Sequence, residues 1–212
     1  FEVPESDIEL VDGTVRSISQ PQKSIKLGDL ANRANPTRGV VEPGVEPGLE
    51  AVAYYGPPYG ATGAGSMAMI VDVDPETLLV KIDHLVMVHD CGTVINPLLL
   101  EGQVMGGISM GVGNAFYEQL IYDENGQLVT ASFMDYLMPQ ASDMPAKVEL
   151  GHMETKSPLN PLGIKGVGEA GAIPPPACFA QAVENALYEH QFEIKETPLS
   201  PSKLYETIHG AK

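Results

Sequence analysis

The sequence predicts an α+β fold, with mixed sheets and helices packed on them. Three observations carry that expectation. The β-branched and apolar stretches come in adjacent pairs joined by short turns, Asp12-Gly13 and Asp74-Pro75-Glu76-Thr77, in place of the strict strand–helix alternation of a doubly wound sheet. Between Gly102 and Leu120 the residues Val104, Ile108, Val112, Phe116 and Leu120 form an unbroken i, i+4 apolar series, the signature of a helix face. A chain of 212 residues can also bury a sizeable core, most simply as one domain over 1–212 with a loop or linker at 35–66.

Taken in order, Ile8 to Val11 and Thr14 to Ile18 read as strands of a hairpin turned by Asp12-Gly13. Ser24 and the following Ile25 to Ala34 suit a short helix that Pro36 stops. The run Val41-Glu42-Pro43-Gly44-Val45-Glu46-Pro47-Gly48 duplicates a four-residue Pro/Gly unit; two copies are too few for a repeat fold, so it reads as a loop. Tyr54-Tyr55-Gly56-Pro57-Pro58-Tyr59-Gly60 is aromatic and turn-rich, suited to facing a ligand or to packing on a sheet edge.

Met67 to Val73 and Leu78 to Val88 are expected to pair as strands. After the helix, Gln119 to Phe133 around Asn125-Gly126 predicts a hairpin with a type I′ turn, and Lys147 to Glu154 another strand. A helix after Pro176 should bury Phe179, Val183, Ala186 and Leu187 and end near His190, and a last short helix should run from Ser202 to Ile208.

Composition narrows the function. The net charge of −16 argues against nucleic acid or an anionic membrane surface as partner, since both reward a basic face. No apolar run approaches the roughly 20 residues of a membrane span, and no charged n-region with an apolar h-region opens the chain. Cys91 and Cys178 are too few for a disulfide scaffold or a Cys-rich metal site, which fits a reducing, cytoplasmic compartment. The first residue is Phe1, which suggests a piece of a longer polypeptide. Asp83, His84, His89 and Asp90 resemble metal ligands, but two histidines five apart on a strand point to opposite faces, so no metal is expected there.

The most informative stretch is Lys165-Gly166-Val167-Gly168-Glu169-Ala170-Gly171-Ala172-Ile173-Pro174-Pro175-Pro176. Its glycines suit positive φ and close approach to a ligand, and its prolines suit the first turn of a helix. Glu169 would then stand at a sharp bend before a helix N-terminus, whose dipole favours the ionised carboxylate that a general base needs. A residue that merely caps the helix is the simpler reading. Nothing is expected to pack against the turn in the chain alone, which would leave it mobile. Upstream, Gly106, Gly107, Gly111 and Gly113 interrupt the apolar helix at about 1 kcal/mol each, and close approach of another backbone or of a bulky cofactor would explain them.

Gly166-Val167-Gly168-Glu169-Ala170-Gly171 with its prolines, Asp90-Cys91-Gly92-Thr93-Val94-Ile95-Asn96-Pro97, Glu101-Gly102-Gln103-Val104-Met105-Gly106-Gly107 and Phe133-Met134-Asp135-Tyr136-Leu137-Met138-Pro139 stand in an order that resembles the C-terminal part of the molybdopterin-binding large subunit of the xanthine dehydrogenase/aldehyde oxidase family. The likeness is good over 71–187 and weak over 1–65. It implies an oxidoreductase that hydroxylates an aldehyde, N-heterocycle or similar carbon centre with water as the oxygen source. In that reading Glu169 is the catalytic base, Gln103 hydrogen-bonds the pterin, the backbone of Gly166, Val167 and Gly168 passes close to the cofactor, and no side chain is a permanent metal ligand. The implied cofactors are molybdopterin, as such or as its cytosine dinucleotide, with 2Fe-2S clusters and FAD on partner subunits or domains. The implied partners are the rest of the molybdenum subunit, iron–sulfur and flavin subunits and a small-molecule substrate.

Two other readings differ in class. Gly107-Ile108-Ser109-Met110-Gly111 matches a G-x-S-x-G nucleophile elbow, with Asp135 or Asp143 and then His152 in the order of an α/β-hydrolase, although an elbow needs a strand directly before the serine. A structural remnant that keeps the motifs without a cofactor is the third.

Overall fold

The structure is a computed structural model that describes residues 1–37, 41 and 43–210; part of the 35–66 stretch, including Glu42 of the duplicated Pro/Gly unit, lies outside the described residues. The chain divides into two compact units, Phe1–Gly56 and Pro57–Lys212.

In the first unit β1 (Ile8–Val11), β2 (Thr14–Ser17) and β3 (Ser24–Lys26) form an antiparallel sheet in that order, followed by α1 (Leu27–Arg33). Asp12 and Gly13 both take positive φ, +49° and +70°, as a tight I′ turn requires, and Val11 pairs with Thr14 across it. The helix expected from Ser24 starts later. Ser24, Ile25 and Lys26 pair with Arg16, Val15 and Thr14, so the ladder satisfies their backbone groups before the helix can.

The second unit is built on β4 (Ala64–Val73), β5 (Val80–Asp90) and β6 (Lys147–Met153), with β5 in the centre. β4 and β5 are antiparallel, whereas β6 runs parallel to β5, with His89 opposite His152 and Asp90 opposite Met153. A parallel pair needs a long crossover, and α2 (Pro97–Phe116) supplies it. α2 begins five residues before its expected start. Asn96 accepts a hydrogen bond from the Leu99 amide at 3.2 Å and Pro97 occupies the first turn, both good N-terminal signals.

Leu85 and Met87 of β5 pack against Leu100, Val104 and Ile108 of α2. A second cluster joins Leu78, Ile82, Val112 and Ala115 to Phe179 and Val183 of α3 (Pro175–Ala186) and Leu204 of α4 (Pro201–His209). Phe116 meets Phe179 edge-on at 4.7 Å between centroids. Ala186, expected in the core, is exposed.

Three further expectations change. Leu78 leaves the strand for the turn, with φ of +57°, because Asp74 Oδ1 gathers the Glu76 and Thr77 amides there. The hairpin over 119–133 reduces to a single bridge, Tyr122 with Leu128. Asp123 Oδ1 accepts from the amides of Asn125 and Gln127, and only Gly126 has positive φ, so the turn is not of type I′. Tyr54, Tyr55 and Tyr59 lie outside any strand and are exposed, so they cover no sheet edge. Among the described residues no helix is long and apolar enough to cross a membrane.

Candidate functional site

The site lies in the second unit, where the loop from Lys165 to Pro174 crosses the glycine face of α2. The loop is fixed at each step. Lys165 donates its amide to Cys91 O at 2.7 Å and its Nζ to Asp90 Oδ2 at 3.0 Å and Thr155 Oγ1 at 2.6 Å. The Gly166 amide binds Ala61 O at 2.8 Å. Val167 and Ala170 pack against the Leu85, Met87, Val104 and Ile108 cluster. Gly168 O accepts from Gln103 Nε2 at 2.7 Å, and Glu169 O accepts from the amides of Ala172 and Ile173. The expectation that nothing packs against this turn is therefore corrected.

The reason for the glycines is also corrected. None of Gly166, Gly168 and Gly171 lies in the left-handed region. Close approach of backbone requires Gly171 instead, whereas a Cβ on Gly166 would make only ordinary contact with Ala61 O and one on Gly168 would meet open space. A Cβ on Gly171 would stand 2.8 Å from Ile108 N, and one on Gly107 would stand 2.9 Å from the Gly171 Cα. Gly111 makes the same room for the Pro175 ring, and Gly113 for Glu118 and Pro139. The expected close approach of another backbone thus accounts for Gly107.

Glu169 precedes α3 by six residues, beyond the first turn over which a helix dipole acts, and α3 opens with Pro175 and Pro176, which carry no N–H. The residue neither caps that helix nor draws on its dipole. Its side chain is exposed, and no hydrogen bond or ion pair to its carboxylate is found among the described residues.

Two cavities flank it. One, of about 390 Å³, is bounded by Thr62 to Gly65, Met87, His89 and the loop; the other, of about 520 Å³, by Gly102, Gln103, Gly106, Met110, Asn114 and the loop. Glu169 and Ile173 line both, so the loop forms a ridge between them. On the Gln103 side, a Cβ placed on Gly102, Gly106 or Gly168 would meet nothing within 4 Å. That wall is bare backbone with two amide side chains beside it, which fits a bulky, polar, ring-shaped ligand.

Beneath the ridge His89 is 2 % exposed. Its Nε2 lies 2.8 Å from His152 Nδ1, and its Nδ1 is buried without a hydrogen-bond partner among the described residues. Burial, then the neighbouring His152, pushes His89 below its ordinary value against the opposing pull of Asp90. His84 instead pairs with Glu149 at 3.0 Å. Asp90 is held far below the usual carboxylate range, chiefly by the Thr155 hydroxyl, then the Gly92 amide and Lys165.

Sequence reasoning placed Gln103, Gly166, Val167, Gly168 and Glu169 in one site; in the fold Gln103, Gly168 and Glu169 line one cavity, while Gly166 and Val167 line the other with Gly168 and Glu169. It missed the anchoring roles of Asp90, Thr155 and Ala61. Asp90 sat inside a recognised motif without an assigned task, and no local signal links Thr155 to a residue 65 positions away. Ser109 lies mid-helix in α2, where no strand-to-helix turn can present it as an elbow nucleophile.

Residues 1–145 match the family model of the molybdopterin cofactor-binding domain. The chain belongs to that family. It is 36% identical over 210 residues to the nicotine 6-hydroxylase large subunit of Paenarthrobacter nicotinovorans, covering 99% of this chain and 26% of that one. It is 38% identical over 186 residues to the carbon monoxide dehydrogenase large chain of Afipia carboxidovorans, covering 88% and 22%. Among solved structures, quinoline 2-oxidoreductase from Pseudomonas putida 86 superposes with a TM-score of 0.83 at 37% identity, over 100% of this chain and 27% of that chain. The chain thus spans about a quarter of the length of the relatives it matches. The α+β architecture is that of the molybdopterin-binding region of these proteins, and Glu169 and its loop lie beyond the segment matched by the family model but within the 210-residue alignment.

Proposed function

We propose that this chain is the part of a molybdenum hydroxylase large subunit that supplies the catalytic base and one wall of the cofactor site. The observation that carries the reading is Glu169: an exposed carboxylate without a partner among the described residues, on a ridge anchored at successive positions between two cavities. Molybdopterin, as such or as its cytosine dinucleotide, would lie on the Gln103 side against Gly102, Gly106 and the Gly168 backbone, with Gly166 and Val167 on the far side of the ridge. When bound, it supplies the two-electron oxidising power for hydroxylating an aldehyde, N-heterocycle or similar carbon centre with water as the oxygen source.

The chain's own residues do the rest. Glu169 would take the proton from the attacking oxygen on a carboxylate oxygen. Gln103 holds the peptide just before it, leaving its side-chain oxygen for the pterin. Ile173 and Met110 narrow the flanking cavities with apolar surface.

Both compact units belong to this region, since the family match runs through the division between them. The remaining three-quarters of a relative-sized subunit, with iron–sulfur and flavin partners, would complete the site and carry electrons away. Unpaired Cys91 and Cys178 favour a reducing, cytoplasmic setting. Glu169→Gln in the assembled enzyme tests the reading: turnover should fall by about 10²–10⁴ while molybdenum content holds. Activity within a few-fold of the parent would sink the assignment.

A further inference from the structure

The ridge that bears Glu169 begins at a lysine whose charge is spent inside the protein. Lys165 and Asp90 form an ion pair in which the side chains are 18% and 11% exposed. Every other ion pair among the described residues has at least one partner more than half exposed, or two partners a third exposed or more. A shielded pair resists screening and leaves an uncompensated charge when either partner is lost, whereas exposed pairs contribute little.

The partners stand at the ends of two neighbouring strands. Asp90 ends the central strand β5, and Thr155 follows the end of the neighbouring strand β6 by two residues. Asp90 Oδ1 accepts from the Gly92 amide at 2.9 Å and the Thr155 amide at 3.2 Å; its Oδ2 accepts from Lys165 Nζ and from the Thr155 hydroxyl. Thr155 Oγ1 in turn accepts from Lys165 Nζ. The three side chains close a ring through Asp90 Oδ2, the ammonium and the hydroxyl, while Oδ1 is held by the two amides.

This ring exceeds what is needed to keep the chain in place. The Lys165 amide is already bonded to Cys91 O, and the Gly166 amide to Ala61 O. The side-chain bonds add a fixed position for the loop's first residue, four positions ahead of Glu169, while Gln103 fixes Gly168 directly before it.

We propose that Asp90, Lys165 and Thr155 are positioning residues for Glu169: a clamp tied to the ends of β5 and β6 that sets the base against the attacking oxygen. The proposal rests on the reading of Glu169 as the base. Misplacement of a reacting group by about 1 Å costs on the order of 10²-fold in rate, so a clamp this close to the base should act on kcat.

The test uses the assembled enzyme carrying Lys165→Met, Thr155→Val or Thr155→Ser, with Glu169→Gln as reference. Thr155→Val keeps the shape and removes the hydroxyl; Thr155→Ser restores it. Lys165→Met and Thr155→Val should lower kcat by about 10- to 100-fold with KM changed less than about threefold, at unchanged molybdenum content, and Thr155→Ser should recover most of the loss. Losses in Lys165→Met and Thr155→Val should combine to less than their product, since both break one ring. The clamp is overturned if both variants keep the parent kcat, if Thr155→Ser is as poor as Thr155→Val, or if activity falls only in step with molybdenum content. An active Glu169→Gln enzyme would instead overturn the base itself, so the two failures are told apart.

Discussion

Gln103 Nε2 donates to the carbonyl oxygen of Gly168 at 2.7 Å, so a side chain of α2 holds the peptide that leads into Glu169. A helix side chain and a loop 65 positions later are thereby made one surface. Gln103→Leu keeps the bulk and removes the bond, at a cost on the order of 1 kcal/mol to local order. Faster hydrogen exchange at the amides of Gly168 to Ala172, with the exchange of β5 unchanged, is the expected result.

The glycines of α2 divide into two kinds, and substitution should separate them. Gly107→Ala drives a Cβ into the Gly171 backbone and should destabilise by about 1–3 kcal/mol, as overpacking does. Gly106→Ala meets open space and should stabilise the helix by up to about 1 kcal/mol. Because that methyl enters the cavity beside Gln103, molybdenum content of the assembled enzyme should nevertheless fall. Urea midpoints and metal analysis read the two effects separately.

Stability should decline in mild acid through His89. Its pKa is lowered in the folded protein, so the unfolded chain binds the proton more readily, and stability present above the ordinary histidine value of 6.5 is lost as pH falls below it. His89→Leu should flatten the change in urea midpoint between pH 7.5 and pH 5.5. An undiminished slope would assign the effect to other groups.

A second acid step belongs to Asp90. Its lowered carboxyl stabilises the fold above the ordinary value of 3.8, and that contribution is lost as pH falls below it. Asp90→Asn should be less stable than the parent at neutral pH and lose less of its stability between pH 4 and pH 2, as thermal melts would record.

Expressed alone, the chain should fold and contain no molybdenum, because its two cavities are open and a cofactor site normally buries most of its ligand between converging walls. Stoichiometric molybdenum in the purified chain would contradict this.

Local rules reached some of this architecture and not the rest, for identifiable reasons. The i, i+4 series found α2, since Val104, Ile108 and Val112 do face the core. Its true start was written in Asn96-Pro97, a capping signal absorbed into a motif. Asn125-Gly126 suggested a hairpin, but the Asp123 side chain bonded to the local backbone and displaced the ladder. Glu169 and Gln103 were found through resemblance, whereas the glycine contacts and the Asp90, Thr155 and Lys165 ring join segments far apart in sequence. Such contacts depend on the register between strands, here a parallel pairing that no neighbouring residue announces.

That parallel pairing has a practical consequence for anyone modifying the molecule. β5 and β6 end side by side where β4 begins, so Asp90, Thr155, Ala61 and Gly63 gather at one end of the sheet. The turn of Asp74 to Thr77 lies at the other end and is exposed. A reporter peptide grafted after Pro75 would extend away from Glu169 by the full length of the strands, and such exposed turns are where insertions are best tolerated. The same graft between Gly92 and Asn96 would disturb the Thr93 amide's bond to Gly163 O, two residues before the ridge begins.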